Sequence, residues 1–233
     1  MKKLIALCSI LILSSCAELQ TVINNLPTDG GLNNEMIGSG LKQALDFGID
    51  KQVTKLTAKD GFYKNSLVKI LLPEELQKVD RTLRKVGLSK LADEGIKALN
   101  RAAEDAVSEA TPIFINAVKE ITFTDVRNIL LGTDNAATQY LEGKTNAALY
   151  AKFNPVIQNS FAKVGADQIW TNLITRYNAL PLTADVNTNL TDYVTQEALK
   201  GVYTMIAVEE KQIRTKTASR TTDLLRRVFA LQD

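Results

Sequence analysis

The chain has 233 residues, 45% of them hydrophobic and 23% charged, which is globular composition and excludes wholesale disorder. It contains no histidine and only two cysteines, Cys8 and Cys16. This removes His-based acid–base catalysis, Ser-His-Asp and Cys-His triads and most transition-metal sites from consideration. Formal charge is +2 overall. Without Lys2 and Lys3, which lie in a segment read below as a cleaved leader, 26 basic residues balance 26 acidic ones, so nothing favours nucleic acid.

Met1 to Ser15 has a basic start and an apolar core from Leu4 to Leu13, followed by small residues. A ten-residue apolar core is too short to cross a hydrocarbon layer of about 30 Å, so the segment reads as a signal peptide. Leu13, Ser14, Ser15 and Cys16 resemble the bacterial lipobox at all four positions. That resemblance implies that Cys16 is lipid-modified and becomes the first residue of the mature chain. It also implies at least two acyl chains, enough for stable anchoring. Ala17 follows where an inner-membrane retention aspartate would stand, and the same sorting rule then implies the outer membrane, facing the periplasm. Residues 16–33 are rich in Asn, Gly, Pro and Asp and read as a tether, with a reach of about 55–60 Å when extended.

Residues 34–233 read as one all-α domain of eight to ten helices. Ile37, Leu41, Ala44, Leu45, Ile49, Val53 and Leu56 repeat at helical spacing, and Gly61 closes that unit. Only 66–72 reads as extended. A helix follows Pro73 with Leu76, Val79, Leu83 and Val86, and with Glu74–Lys78 and Asp80–Arg84 as outer-face pairs. Ser89 is the expected N-cap of a helix running to Ala110, which the Thr111-Pro112 step should end. Short helices are expected around Phe114 and from Thr124 to Gly132, and another after Asp134 or Asn135. A separate, longer one runs from Thr145 to Val164, with a kink expected at Pro155. Ile169, Trp170, Leu173 and Tyr177 mark the next helix, and 179–188 is a loop. Leu190, Val194, Ala198, Gly201, Met205 and Val208 then form a strip along a helix reaching Arg214. Thr217 to Ser219 interrupts it before a last apolar patch, Leu224, Leu225, Val228 and Phe229. Phe47, Phe62, Phe114, Phe153, Phe161, Trp170 and Phe229 sit at core-like spacing.

Ser39-x-x-Lys42 and Ser160-x-x-Lys163 carry the spacing of penicillin-recognising acyl enzymes, but no Ser-Asp-Asn or Lys-Thr-Gly element accompanies them. Asp185, Asn187 and Asn189 have the opening spacing of a calcium loop; Leu190 and Gln196 stand where its glycine and bidentate glutamate belong. Arg101, Asp105 and Glu109 share one helix face and read as a solvated ladder. The densest polar group is C-terminal: Glu209, Glu210, Lys211, Arg214, Arg220, Thr221 and Thr222. It fits either a charged helix end with a capping turn, an internal ion-pair network that takes in Arg101 and Glu104, or an anion-binding groove. No catalytic residue, cofactor or metal site is assigned.

The stretches Gly61-Phe62, Leu83-Arg84 with Gly87, Asn100-Arg101-Ala102-Ala103-Glu104, Ile129-Leu130 with Gly132, Ala136-Ala137-Thr138 with Tyr140, and Tyr193-Val194-Thr195 belong together. With Ile206-Ala207, Glu209-Glu210-Lys211, Ile213-Arg214, Arg220-Thr221-Thr222, Leu224-Leu225 and Val228-Phe229, they resemble a bacterial family known as domain of unknown function 4197. The resemblance implies an all-α envelope protein with an export signal and implies no activity. The sequence therefore predicts a lipid-anchored, non-enzymatic module that binds a protein partner or an apolar ligand. Two alternatives stay open: an envelope hydrolase using carboxylates and lysine, and a structural spacer in the periplasm.

Overall fold

A computed structural model describes residues 32–72, 89–163 and 189–232, with a few isolated positions between them. The leader, Cys16 and the tether up to residue 31 lie outside the described residues. So do most of the helix expected after Pro73, the helix around Trp170, and the loop that holds Asp185 and Asn187.

Seven α-helices are described, and no strand occurs among the described residues. They are α1 (Asn34–Thr57), α2 (Ser89–Val107), α3 (Ala110–Lys119), α4 (Phe123–Leu130), α5 (Ala136–Ala162), α6 (Leu190–Thr215) and α7 (Asp223–Phe229), with short 3-10 turns at Thr217–Ser219 and Ala230–Gln232. The protein is all-α, as its periodicity predicts.

The first described residues already belong to the domain. Leu32 packs into the core, and Asn33 caps α1 by accepting the Met36 N–H at 2.7 Å. Helix α1 buries Ile37, Leu41, Ala44, Leu45, Ile49, Val53 and Leu56, the predicted strip in full. Phe47 falls outside that strip and is 54% exposed, against expectation. Its position is about 100° around the helix from the buried Gly48, and the arc is not covered at that point.

The chain then turns through Asp60, a non-glycine residue in the left-handed region at φ 68°, which aspartate tolerates better than most residues. The 66–72 stretch is held by a side chain instead of a strand. Asn100 on α2 donates to the Ile70 carbonyl and accepts the Ile70 N–H, both at 2.8 Å.

Three boundaries differ from expectation for local reasons. Helix α2 ends at Val107, and Pro112 sits in the first turn of α3 rather than ending a helix, because a first-turn residue needs no N–H donor. Helix α4 is capped by Thr122, which forms a reciprocal capping box with Asp125, two residues before the expected start. The Thr122 N–H and hydroxyl both donate to the Asp125 carboxylate, at 2.9 and 2.7 Å, and hold it below its usual range. The two helices expected between 135 and 164 are one 27-residue helix that runs through Gly143 and Pro155. Tertiary packing of Leu141, Leu149, Phe153, Ile157 and Phe161 on one face outweighs a single glycine, which costs about 1 kcal/mol.

Helices α5 and α6 lie antiparallel, as Thr138 meets Glu210, Thr145 meets Tyr203, and Tyr150 meets Asp192. Helix α6 also packs on α1 and α2, while α7 lies across α1. Two glycines mark close approaches. A Cβ at Gly201 would stand 2.7 Å from the Phe62 ring, and one at Gly40 would stand 2.6 Å from Val228 Cγ2. The space where α1, α5, α6 and α7 meet is about 20 Å³, room for one water.

Gly48 lines that space, and a Cβ there would meet only Glu209 Cγ, at 3.5 Å. Gly48→Ala is therefore expected to stabilise the protein by about 0.5–1 kcal/mol through helix propensity and filling. Gly40→Ala is expected to destabilise it by about 1–3 kcal/mol through overpacking against α7. Urea denaturation midpoints of the two variants should move in opposite directions.

Candidate functional site

The C-terminal polar residues divide into buried charges and exposed neighbours. Glu209, Glu210, Arg214 and Arg220 are all buried, Arg220 at 2% exposure. Lys211 is exposed, 3.6 Å from Asp134; Thr221 is exposed; and Thr222 caps α7 by accepting the Leu225 N–H.

The strip on α6 explains how charges come to lie inside. It carries apolar residues from Leu190 to Met205, then turns polar one turn later, where Glu209 and Glu210 face the same core. Helix ends of the neighbouring elements meet the strip there.

Glu210 supplies the N-terminal cap of α5. Asn135 stands at the N-cap position but makes no side-chain cap bond. Glu210 accepts the N–H groups of Ala137 and Thr138, both at 2.9 Å, and the Thr138 hydroxyl at 2.8 Å. Those are the second and third amides of the helix, the ones an N-cap normally satisfies, and an anion there opposes the helix dipole. Arg214, one turn after Glu210, pairs with it at 2.9 Å. It donates onward to the carbonyls of Ile129 at 2.7 Å and Leu130 at 3.3 Å, the last two of α4. One ion pair on α6 thus terminates α4 and starts α5. The side-chain amide of Gln232 donates to the same Leu130 carbonyl.

Arg220 does the same for α6. Its guanidinium donates to the carbonyls of Ile213 at 3.0 Å and Arg214 at 2.9 Å, and lies 6.0 Å from the centre of the Phe229 ring. Glu209 points the other way, onto α1, accepting from Lys51 at 2.6 Å and Gln52 at 2.7 Å. Gln52 Oε1 is buried and has no protein partner.

Arg101 and Glu104 form a second network on α2, apart from the first. Glu104 accepts the N–H groups of Asp60 at 3.3 Å, Phe62 at 3.1 Å and Tyr63 at 3.5 Å. Arg101 bridges Glu104 and Asp60, each at 2.6 Å. The Lys64 side chain, and behind it Arg101, hold the Asp60 carboxyl below its usual range. The expected Arg101–Asp105–Glu109 ladder is replaced by this arrangement, because the left-handed turn at Asp60 brings three amides within reach of Glu104. Asp105 and Glu109 are exposed. Arg84 is 2.7 Å from Asp93; Asp80, with which it is expected to pair, lies outside the described residues.

Sequence reasoning missed Lys51, Gln52, Asp60, Asn100 and Thr138 as partners. One local signal existed: Gln52 and Asn100 are polar residues at core-facing positions of otherwise apolar strips. Of the acyl-enzyme spacings, Ser39 is exposed and Lys42 donates to the Lys119 carbonyl at 3.0 Å, so serine and lysine do not form a couple. Asn189, the last oxygen of the calcium-loop spacing, caps α6 by accepting the Asp192 N–H. Among the described residues no group of His, Cys, Asp or Glu is placed to hold a metal.

Residues of α5 and α6 line an open groove of about 480 Å³. Asn135, Thr138, Glu142 and Asn146 line it from α5; Gln196, Glu197, Lys200, Tyr203 and Thr204 line it from α6. Tyr203 forms part of its floor, bonded to Thr145 at 2.8 Å and edge-on to Phe114. Burial, with the Glu142 charge adding to it, pushes the Tyr203 hydroxyl up to about 12 against the opposing bond to Thr145.

A helical bundle whose buried charges tie helix ends together, with no strand described, defines a class of all-α domain and no reaction. Residues 31–230 match the family model of a protein of unknown function, DUF4197, and the chain belongs to that family. No curated protein and no solved structure matches it.

Glu210→Ala and Arg214→Ala are each expected to cost about 3–5 kcal/mol, since each leaves a buried charge and a helix end without its partner. A double-mutant cycle in urea should give a coupling above about 1 kcal/mol. Tyr203 makes an alkaline prediction. Its folded pKa lies above the ordinary value of 10.0, so its contribution is complete below pH 10 and is lost as pH rises through about 12. Tyr203→Phe should flatten that part of the stability–pH curve, read by circular dichroism.

Proposed function

We propose that this chain is a lipid-anchored helical module of a bacterial envelope that binds a protein partner through its outer surface and catalyses no reaction. The anchor rests on the match of Leu13, Ser14, Ser15 and Cys16 to the lipobox. Orientation toward the periplasm from the outer membrane follows from Ala17 at the next position.

One observation carries the choice of binding over hydrolysis. The buried carboxylates and guanidiniums of the C-terminal cluster are occupied by helix-terminal amides, carbonyls and one another. A buried carboxylate whose oxygens already accept two backbone amides, a hydroxyl and an arginine has no open side to offer a substrate. The choice of a protein over an apolar ligand rests on space. The space where α1, α5, α6 and α7 meet suits one water, whereas the open groove suits a macromolecular segment.

Two measurements test the reading. Metabolic labelling with a palmitate analogue should mark the wild type and leave Cys16→Ser unmarked; equal labelling of both would refute the anchor. Crosslinking in intact cells followed by size-resolved recovery should yield the protein joined to a partner chain. Recovery of the protein alone would refute the binding role.

A further inference from the structure

We infer that the α5–α6 groove receives an extended peptide segment bearing basic side chains. This rests on the binding reading above and adds the site and the chemistry of what it takes.

The first ground is shape. The lining positions span Asn135 to Asn146 on α5 and Gln196 to Ala207 on α6. At 1.5 Å per residue each wall is roughly 16 Å long. That length matches about five residues of extended chain at 3.3 Å each. The groove is open along its length, a form that suits a strand-like segment better than a compact metabolite.

The second ground is hydrogen-bonding character. Asn135, Asn146 and Gln196 each present a carboxamide donor and acceptor and Thr204 adds a hydroxyl, while the Thr138 and Tyr203 hydroxyls are taken up by Glu210 and Thr145. An extended backbone offers N–H and C=O groups in alternation, and paired carboxamides complement both. An acyl chain offers neither.

The third ground is charge. Glu142 and Glu197 line the groove against one cation, Lys200, which stands 3.7 Å from Glu197. Glu142 has no ion-pair partner among the described residues. The groove is therefore net negative, which favours a basic occupant.

The probe is trilysine amide, with triglutamate amide as control, titrated into the isotope-labelled full chain in zwitterionic micelles. Trilysine should shift backbone amide resonances within 135–146 and 196–207, and triglutamate should not. Glu142→Gln with Glu197→Gln should weaken the response about tenfold at unchanged melting temperature. Lys200→Gln should strengthen it, which keeps the test decisive should the double variant fold poorly. The inference is overturned if trilysine leaves the groove amides unmoved, or if triglutamate moves them as well. It is equally overturned if both sets of variants respond like the wild type. The titration uses no cellular partner, so its failure leaves the crosslinking test of the binding role standing, and the reverse holds too.

Discussion

The ion pair between Glu210 and Arg214 is the constraint on which the rest of this structure depends. Two residues one turn apart on α6 close the C-terminus of α4 and open the N-terminus of α5. Each helix end carries unsatisfied backbone groups and about half a unit charge of the sign that its partner opposes. A bare ion pair in a core is seldom a net gain, because desolvation rivals attraction. Here both ions also hold backbone groups that would otherwise be buried without partners. The short connection from Leu131 to Asn135 can then turn sharply, since its flanking helices are terminated from outside.

The same device recurs. Arg220 terminates α6, the helix that carries the first pair, and Glu104 gathers the amides of the turn after α1. Asn100 performs a neutral version on Ile70. Polar groups in this core serve mainly as fasteners for the ends of chain segments. Apolar packing supplies the stabilising bulk, and the charges select one arrangement of helices among several that would bury similar area. That division accounts for a core that is densely charged yet offers no free acid, base or nucleophile among those residues.

On the proposed reading, binding falls to the surface, where α5 and α6 line a polar groove. The floor of the groove is rigid: Tyr203 is fixed by Thr145 and by the Phe114 ring behind it. A floor fixed in this way would limit the ordering cost of holding a segment of another chain. On this view the buried and exposed charges of α6 have separate tasks, the former internal and the latter external, although they alternate along a single helix.

The sequence by itself determined the all-α class, the apolar strips of α1 and α6, the Glu210–Arg214 spacing and the family. All of these are local: a period of 3.6 residues and an i,i+4 pair can be read within one helix. It misplaced Phe47 and split α5 in two, because whether an arc is covered or a glycine is tolerated depends on what packs against it. Only the tertiary structure decided the partners of the buried charges. Thr138 lies 72 residues from Glu210 and Ile129 lies 85 from Arg214, so no periodicity links them. A helix end needs a cap, but the sequence does not say whether it comes from the adjacent residue, as at Thr122, or from another helix, as at Asn135. That choice is made when the ends are brought together and the nearest buried charge is the one that can meet them.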